Sequence, residues 1–473
     1  MVLTLAIILI TGKELHLENG VPLVDAHAVW AAQIASATTL PDGRLNTRLG
    51  IVLKDFADQP TDSIPQASGN WGRTKAVYRF LDNKRVTEAD LAAGVARETA
   101  RLCREEKVVL AVQDTTLLNL TDNDSIAELG PIGAGNSARG LLAHTTLAVT
   151  QRGAVAGILG TQYWARPQKG EPKPEEKESV KWLNGIDQAR QALHEAGDAP
   201  PRLIHVMDRE GDVYDVMQSI DDLGDSAIIR SAQDRRVKGP LPTAHAAVRA
   251  RPALDRRWLK LPRSHGRAAR DAFVETRVLN LTLTPDRERH PAAWEMKWTL
   301  VEIWEPEPPA DAESIHWLLW TREPAATADE AWEVARKYTC RWSIEEFHLT
   351  LKSGCKIEEL RLESWDRLIK ALVLYSAVAA RVVSLRDRAC LEPEAPATVL
   401  LSPVECALLT TRCGKGEPSA DLTLKQAVLW IGRLGGHLNR KGDGMPGVRT
   451  LWRGLRDLGL LVEGYQVAKR LLE

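Results

Sequence analysis

Two short apolar runs, each closing on an aspartate, constrain this chain more than any other feature. Val108, Val109, Leu110, Ala111 and Val112 lead through Gln113 to Asp114, and Leu203, Ile204, His205, Val206 and Met207 lead directly to Asp208. A run this apolar at consecutive positions predicts a strand covered on both faces, as in a parallel sheet, rather than a strand with one wet side. Between the runs, residues 141–149 and 154–163 are strand-like and flank Gln151, Arg152 and Gly153, which predicts a hairpin. A charged stretch with prolines at 169–178 gives way to a helical pattern over 180–196. After Asp208 come a helix over 213–223, with Val213, Val216, Met217 and Ile220 on one face, and a short strand at 227–229 that ends at Arg230.

The order strand, hairpin, helix, strand, helix, strand is that of an α/β, ribonuclease H-like core. It sets both aspartates just past the carboxyl ends of strands expected to be neighbours, where α/β sheets place their sites. The chain has 473 residues, too many for one ordinary domain, and the patterns outside this core differ from it. Residues 24–100 read as helices bearing Arg44, Arg48, Arg73, Lys75, Arg79, Lys84 and Arg85. A helical bundle with a basic face is a common DNA-binding design, and a solvated face is the equally weighted alternative. After Arg235, residues 257–261, 272–283, 295–303 and 315–320 alternate apolar and polar between proline-containing breaks, which predicts a β-rich insertion. Helical patterning returns at 328, runs past Lys352, resumes over 366–385 and, beyond a linker at 392–396, fills the tail. The expected divisions are an unassigned extension (1–23), a helical DNA-binding domain (24–103), a catalytic core (104–235 and 326–390), a β-rich insertion subdomain (236–325) and a helical dimerisation domain (391–473).

The formal net charge of −1 excludes a global basic field and confines any nucleic-acid contact to a local groove. The six cysteines lack metal-ligand or framework spacing, as expected for reduced thiols in a cytosolic protein. The apolar start at 1–10 is shorter than the roughly 20 residues that span a bilayer, and it lacks the basic start and cleavage site of a signal peptide. It reads as a stray strand or the product of an upstream start codon. No other segment reads as membrane-spanning, so a soluble cytoplasmic protein without a membrane partner is expected.

Cleaving a phosphodiester without a covalent enzyme intermediate needs an activated water or hydroxyl and a stabilised leaving oxygen. Two metal ions about 3.5–4 Å apart supply both. Mg²⁺ takes carboxylate oxygens and keeps waters, so a few acids on rigid elements suffice. Asp114 and Asp208 meet that need, and a carboxylate from a helix crossing the sheet would complete the set. Tyr338, Arg341, Glu345 and Lys352 fall at i, i+3, i+7 and i+14; at about 100° per residue they lie within roughly a 60° arc of one continuous helix. Val334, Ile344, Phe347 and Leu351 form an adjacent stripe able to dock it. The acid suits metal; the guanidinium, ammonium and phenol suit phosphate. A solvated face with i,i+4 pairs is the alternative.

Tyr338-Thr339-Cys340-Arg341-Trp342-Ser343-Ile344-Glu345-Glu346-Phe347-His348, with Lys352 seven residues past Glu345, resembles the Y-(2)-R-(3)-E-(6)-K signature of the insertion-sequence-four family of DDE transposases, and most closely its transposon-five branch. Asp114-Thr115-Thr116 and Asp208-Arg209-Glu210-Gly211-Asp212 resemble the two aspartate motifs, and Trp317-Leu318-Leu319-Trp320-Thr321-Arg322-Glu323-Pro324 the strand before the signature. Ala76-Val77-Tyr78-Arg79-Phe80 is similar to the N-terminal domain, and Arg433-Leu434-Gly435-Gly436 to the C-terminal dimerisation region. The resemblance runs from about residue 24 to the end.

It implies a Mg²⁺-dependent endonuclease and strand transferase working by cut-and-paste. Asp114, Asp208 and Glu345 would hold two Mg²⁺ ions, with Mn²⁺ able to substitute. Tyr338, Arg341 and Lys352 would grip phosphate, Trp317 would pocket a flipped base, and Arg230 would contact DNA. On residue grounds alone a strand tryptophan is more often core, and Arg230 is equally suited to an ion pair. The signature spacing selects Glu345 over Glu346, which lies about 100° round the helix. The implied partners are double-stranded DNA at transposon ends and at the target, and a second copy of the chain. The implied setting is the bacterial cytosol, near the nucleoid. Two other readings stay open: a ribonuclease H-like nuclease without transposition, and an inactive DNA-binding or inhibitory descendant of a transposase.

Overall fold

Helices begin where the sequence supplies caps. The Asp25 carboxylate accepts from the backbone N–H of His27 and Ala28 at the start of α1 (Ala26–Ala37), and Asp42 caps α2 (Gly43–Asp58). The short α3 (Ile64–Ser68) closes on Gly69 at φ 71°, Asn70 caps α4 (Trp71–Leu81) and Thr87 caps α5 (Glu88–Leu102). This is a computed structural model that describes residues 17–472 except 19–20, 23–24, 124, 134–137, 169, 171, 173–176, 198, 262–268, 289–291, 415–420 and 441. The apolar start at 1–10, and part of the charged stretch at 169–178, lie outside the described residues. Leu49, Val52, Leu53, Phe56, Val77, Phe80 and Leu81 of α2 and α4 are buried in the main core. There the Phe56 ring stacks on Tyr375, 4.4 Å between centroids.

The central strands follow the expected order. β1 (Val108–Asn119), β2 (Arg139–Thr150) and β3 (Val155–Trp164) form an antiparallel meander. Helix α6 (Val180–Glu195) leads to β4 (Arg202–Met207), parallel to β1, and α7 (Tyr214–Asp222) leads to β5 (Ser226–Arg230), parallel to β4. Across the sheet the strands lie β3-β2-β1-β4-β5, the ribonuclease H-like arrangement. The unbroken apolar run in β1 has its reason here. Val109 and Ala111 pack with Ala189, Ala192 and Leu193 of α6, while Leu110 and Val112 face the main core on the other side.

The β-rich segment is inserted in the chain but not separate in space. β6 (Asp255–Leu261), β7 (Arg270–Leu283), β8 (Met296–Trp304) and β9 (His316–Thr321) form a second antiparallel meander, and β9 pairs antiparallel with β5. Core and insertion therefore share one sheet of eleven strands among the described residues. The pairing covers β5, which would otherwise be a bare edge.

Helices α8 (Ala328–Thr339), α9 (Trp342–Leu349) and α10 (Trp365–Leu391) cover the main-core face. Contrary to the sequence expectation, α10 is long and apolar enough to cross a membrane by length and composition. Its apolar stretch is 89% buried within the protein, so the hydropathy is that of a core helix. Helices α11 (Pro403–Cys413), α12 (Leu424–Leu434) and α13 (Val448–Leu472) close a further core with Val382, Leu385 and Ala389 of α10.

Helix α13 comes into backbone contact with α12 and its C-terminal cap through two glycines. A Cβ on Gly435 would run into the Thr450 carbonyl oxygen, and one on Gly454 into that of Ile431. Gly454→Ala should push the helices apart and cost about 1–3 kcal/mol, as overpacking does. Urea unfolding followed by circular dichroism measures this; an unchanged midpoint would mean that the helices do not cross so closely.

Candidate active site

Strand register creates the site. Val112 pairs with Val206 in the parallel β1–β4 ladder, and Asp114 and Asp208 each stand two residues beyond that pair. They leave neighbouring strands, about 4.8 Å apart, at the same level and on the same face. Leu110 and Val112 share that face with Ile204 and Val206, and the same alternation brings Arg230 in line with Ile228 and Trp317 with Leu319. Asp114 accepts from its neighbour's N–H on Thr115 at 2.8 Å. Asp208 caps the 3₁₀ turn Arg209–Gly211, accepting from Glu210 N–H at 2.8 Å. Asp212 serves the fold: it is buried and accepts from the backbone of Ala232 and Gln233 and from Arg235.

The segment expected as one continuous helix is irregular at two places. After α8, Cys340 and Arg341 form a tightened turn, with Arg341 N–H on Tyr338 O at 3.0 Å and Ile344 N–H on Arg341 O at 3.2 Å. After α9, Thr350–Gly354 widens into a π-turn, which seats Gly354 against the Trp452 ring of α13. Tightening and widening rotate later residues in opposite senses, so the expected arc is not the face of one straight helix. The docking stripe holds: Val334, Ile344, Phe347 and Leu351 are buried.

Arg341 is where the groups meet. Its Nη1 lies 3.2 Å from Glu345 Oε1 and 3.8 Å from Asp114 Oδ2. Tyr338, 5% exposed, packs edge-on against Trp317, with centroids 5.5 Å apart and planes at 69°. Trp317 is half-buried. Arg230 donates to His316 O at 3.2 Å. Burial pushes the Tyr338 phenol up, and the Arg341 and Arg230 guanidinia pull it back. Lys352 sits on the π-turn; burial lowers its pKa against the opposing pull of Glu358 and Glu345. Glu346 turns away, in a two-pronged ion pair with Arg386 of α10.

The electrostatics of the cluster are set by confinement. Burial, then the charges of Asp208 and Glu345, push Asp114 up to about 7, against the Thr115 N–H and Arg341. Asp208 is raised too, chiefly by burial, with Glu210 N–H and Arg341 opposing. Three carboxylates around one guanidinium leave excess negative charge on a half-buried oxygen donor set, which fits a divalent cation such as Mg²⁺.

Two nearby histidines escaped the sequence reading. His348 is buried, and one of its ring nitrogens lies within 4.8 Å of carboxylate oxygens of Asp114 and Glu345. Burial, with Lys352 and Arg341, holds its pKa down to about 3. Its signal was local: it stands one helical turn after Glu345. On the opposite face of β1, His144 bridges the residues flanking Asp114, Nδ1 to Thr115 Oγ1 at 2.9 Å and Nε2 to Gln113 Oε1 at 3.1 Å. That link depends on the β1–β2 pairing and has no local signature.

Of the basic residues on the N-terminal helices, Arg44 pairs with Asp42, Arg73 with Asp55 and Lys84 with Asp366. Lys75, Arg79 and Arg85 are exposed.

Residues 27–86 match the family described as Transposase DNA-binding, and residues 377–473 match the Transposase Tn5 dimerisation domain. A cryo-EM structure of a piggyBac transposase synaptic complex with hairpin DNA aligns over 97% of this chain and 85% of that chain, at 9% identity and a TM-score of 0.37. A TM-score and identity that low are no argument for a common mechanism.

The raised Asp114 has a consequence for pH. Its folded pKa of about 7 exceeds the ordinary value of 3.8, so its charge destabilises the metal-free fold increasingly as pH rises from about 4 through 7. Asp114→Asn should therefore melt higher than the unmodified protein at about pH 8 in chelator, with the gap closing near pH 4. A gap that does not change with pH would mean that Asp114 does not titrate in this range.

Proposed function

We propose that the chain is a transposase of the Tn5-like kind that works by cut-and-paste, with Asp114, Asp208 and Glu345 as its DDE triad. The observation that carries this reading is the register that sets Asp114 and Asp208 side by side beneath Arg341 and Glu345. Two Mg²⁺ ions, or Mn²⁺ in their place, held by oxygens of the three acids would supply an activated water or hydroxyl and a stabilised leaving oxygen.

The side chains divide the remaining work. Asp114 would lose to bulk water the proton that burial favours on its carboxyl. Arg341, steadied by Glu345, offers its guanidinium to the scissile phosphate, and Lys352 adds a second cation. Tyr338 contributes a phenol hydroxyl beside Arg230. Water opens one strand at the element's end, the freed 3′-hydroxyl attacks the opposite strand to make a hairpin, water reopens it, and the 3′-hydroxyl joins target DNA. One site serves all four steps because each is an in-line displacement at phosphorus. Trp317, half-buried against Tyr338, would take an extruded base. Residues 27–86 would bind the ends, with Lys75, Arg79 and Arg85 on phosphates, and residues 377–473 would pair two copies so that both ends are held.

With end DNA and Mg²⁺, Asp114→Asn, Asp208→Asn and Glu345→Gln should each abolish nicking while gel-shift binding persists, and Glu346→Gln should keep most of it. Near-normal nicking by any of the first three removes that residue from the triad. Nicking that ignores end sequence and never yields joined product favours the simple nuclease.

Trp317→Ala should slow hairpin formation but spare the first nick. Stacking an extruded base contributes roughly 1–3 kcal/mol, which corresponds to about a 5- to 150-fold loss of rate. Single-turnover assays that resolve nick and hairpin provide the measurement. Equal slowing of both, with a lowered melting temperature, would make Trp317 a packing residue only.

A further inference from the structure

We propose that His348 is a nitrogen ligand of the metal held between Asp114 and Glu345, giving this half of the site a preference for Mn²⁺ or another first-row transition ion over Mg²⁺. The inference rests on the reading of Asp114 and Glu345 as metal ligands. It starts from spacing: Glu345 and His348 stand at i and i+3 on the regular helix α9, so both project from one face. A Glu-x-x-His pair on a helix is a recurring way to present one oxygen and one nitrogen donor to a metal.

Geometry brings the strand donor to the same place. One ligand atom each from Asp114, Glu345 and His348 all lie within 4.8 Å of one another. With bonds of about 2.1 Å, donors on one ion stand about 3 to 4.2 Å apart, so small side-chain rotations close the set. The His348 Nε2 is buried with no hydrogen-bond partner among the described residues. Buried polar atoms are ordinarily satisfied, and a buried ring with an orphan nitrogen, one of whose nitrogens stands beside two carboxylates, points to a bound group that engages the ring.

Asp208 does not belong to that close set. Two metal positions sharing Asp114 would therefore differ in chemistry. One, between Asp114 and Asp208, would have oxygen donors only and suit Mg²⁺. The other would have a mixed oxygen and nitrogen donor set; imidazole tilts it toward Fe²⁺, Co²⁺ or Zn²⁺ and, more weakly, toward Mn²⁺, because Mg²⁺ keeps to oxygen.

The test uses full-length protein stripped of metal. Pulsed EPR after adding Mn²⁺ should show ¹⁴N coupling from a directly bound imidazole, and His348→Leu should lose it. Calorimetric titration should show Mn²⁺ affinity falling about tenfold or more in His348→Leu, with Mg²⁺ affinity changed by less than about twofold. If the unmodified protein binds Mn²⁺, Glu345→Gln abolishes that binding, and no ¹⁴N coupling appears, His348 is not a ligand and the carboxylate site stands. If Mn²⁺ binding does not depend on Glu345, the inference and the triad reading fall together. Should His348→Leu not fold, the EPR signal of the unmodified protein decides alone.

Discussion

Five residue pairs between two parallel strands, from Val108 with Arg202 to Val112 with Val206, determine the site. Their register puts two carboxylates abreast at the end of the ladder, where the pleat aims both at the same side. Burial disfavours charge there, and like charges confined this way repel, so Asp114 is held far from its ordinary acidity. The rest of the architecture answers that strain. Arg341 leans in from the covering helices, and the buried stripe of Ile344, Phe347 and Leu351 fixes the height at which it does so. Behind the strand, His144 ties Gln113 to Thr115 and limits how far the intervening Asp114 can move.

A second constraint locks helix to sheet. Glu323, just past β9, is almost fully buried and accepts both from Lys337 of α8 at 2.6 Å and from Arg202 at 2.5 Å. Burial would raise its pKa, but the two cations outweigh it and hold the carboxyl down to about 2. Arg202 opens the strand that ends before Asp208, and Lys337 immediately precedes Tyr338. One carboxylate thus joins the base of the strand leading to Asp208 to the helix that carries Tyr338. Removing one partner of such a buried node strands the other charges without compensation.

The sequence made some of this legible and not the rest, for physical reasons. Buried strands announce themselves through unbroken apolar runs, so β1, β4 and their order could be read, and with them the positions of Asp114 and Asp208. Motif spacing singles out Glu345 over Glu346, and in the fold Glu346 is engaged by Arg386, forty residues on. The β9–β5 pairing could not be read, because register between strands so distant in sequence is set by packing and not by local pattern. The helix irregularities arise likewise from tertiary contact. The composition of α10 fits a membrane span as well as a helix buried on all sides, and only its packing tells the two apart.

The π-turn at Thr350–Gly354 also fixes the length of the chain here. A π-turn holds one residue more than an α-turn closed between the same supports. Excising one residue upstream of the turn, between Glu345 and Thr350, with the π-turn kept, would swing Lys352 about 100° round the axis and lift Gly354 off the Trp452 ring. The indole of α13 therefore acts as a gauge on this stretch. Side chains here can be exchanged one for another more freely than the number of residues ahead of the turn can be changed.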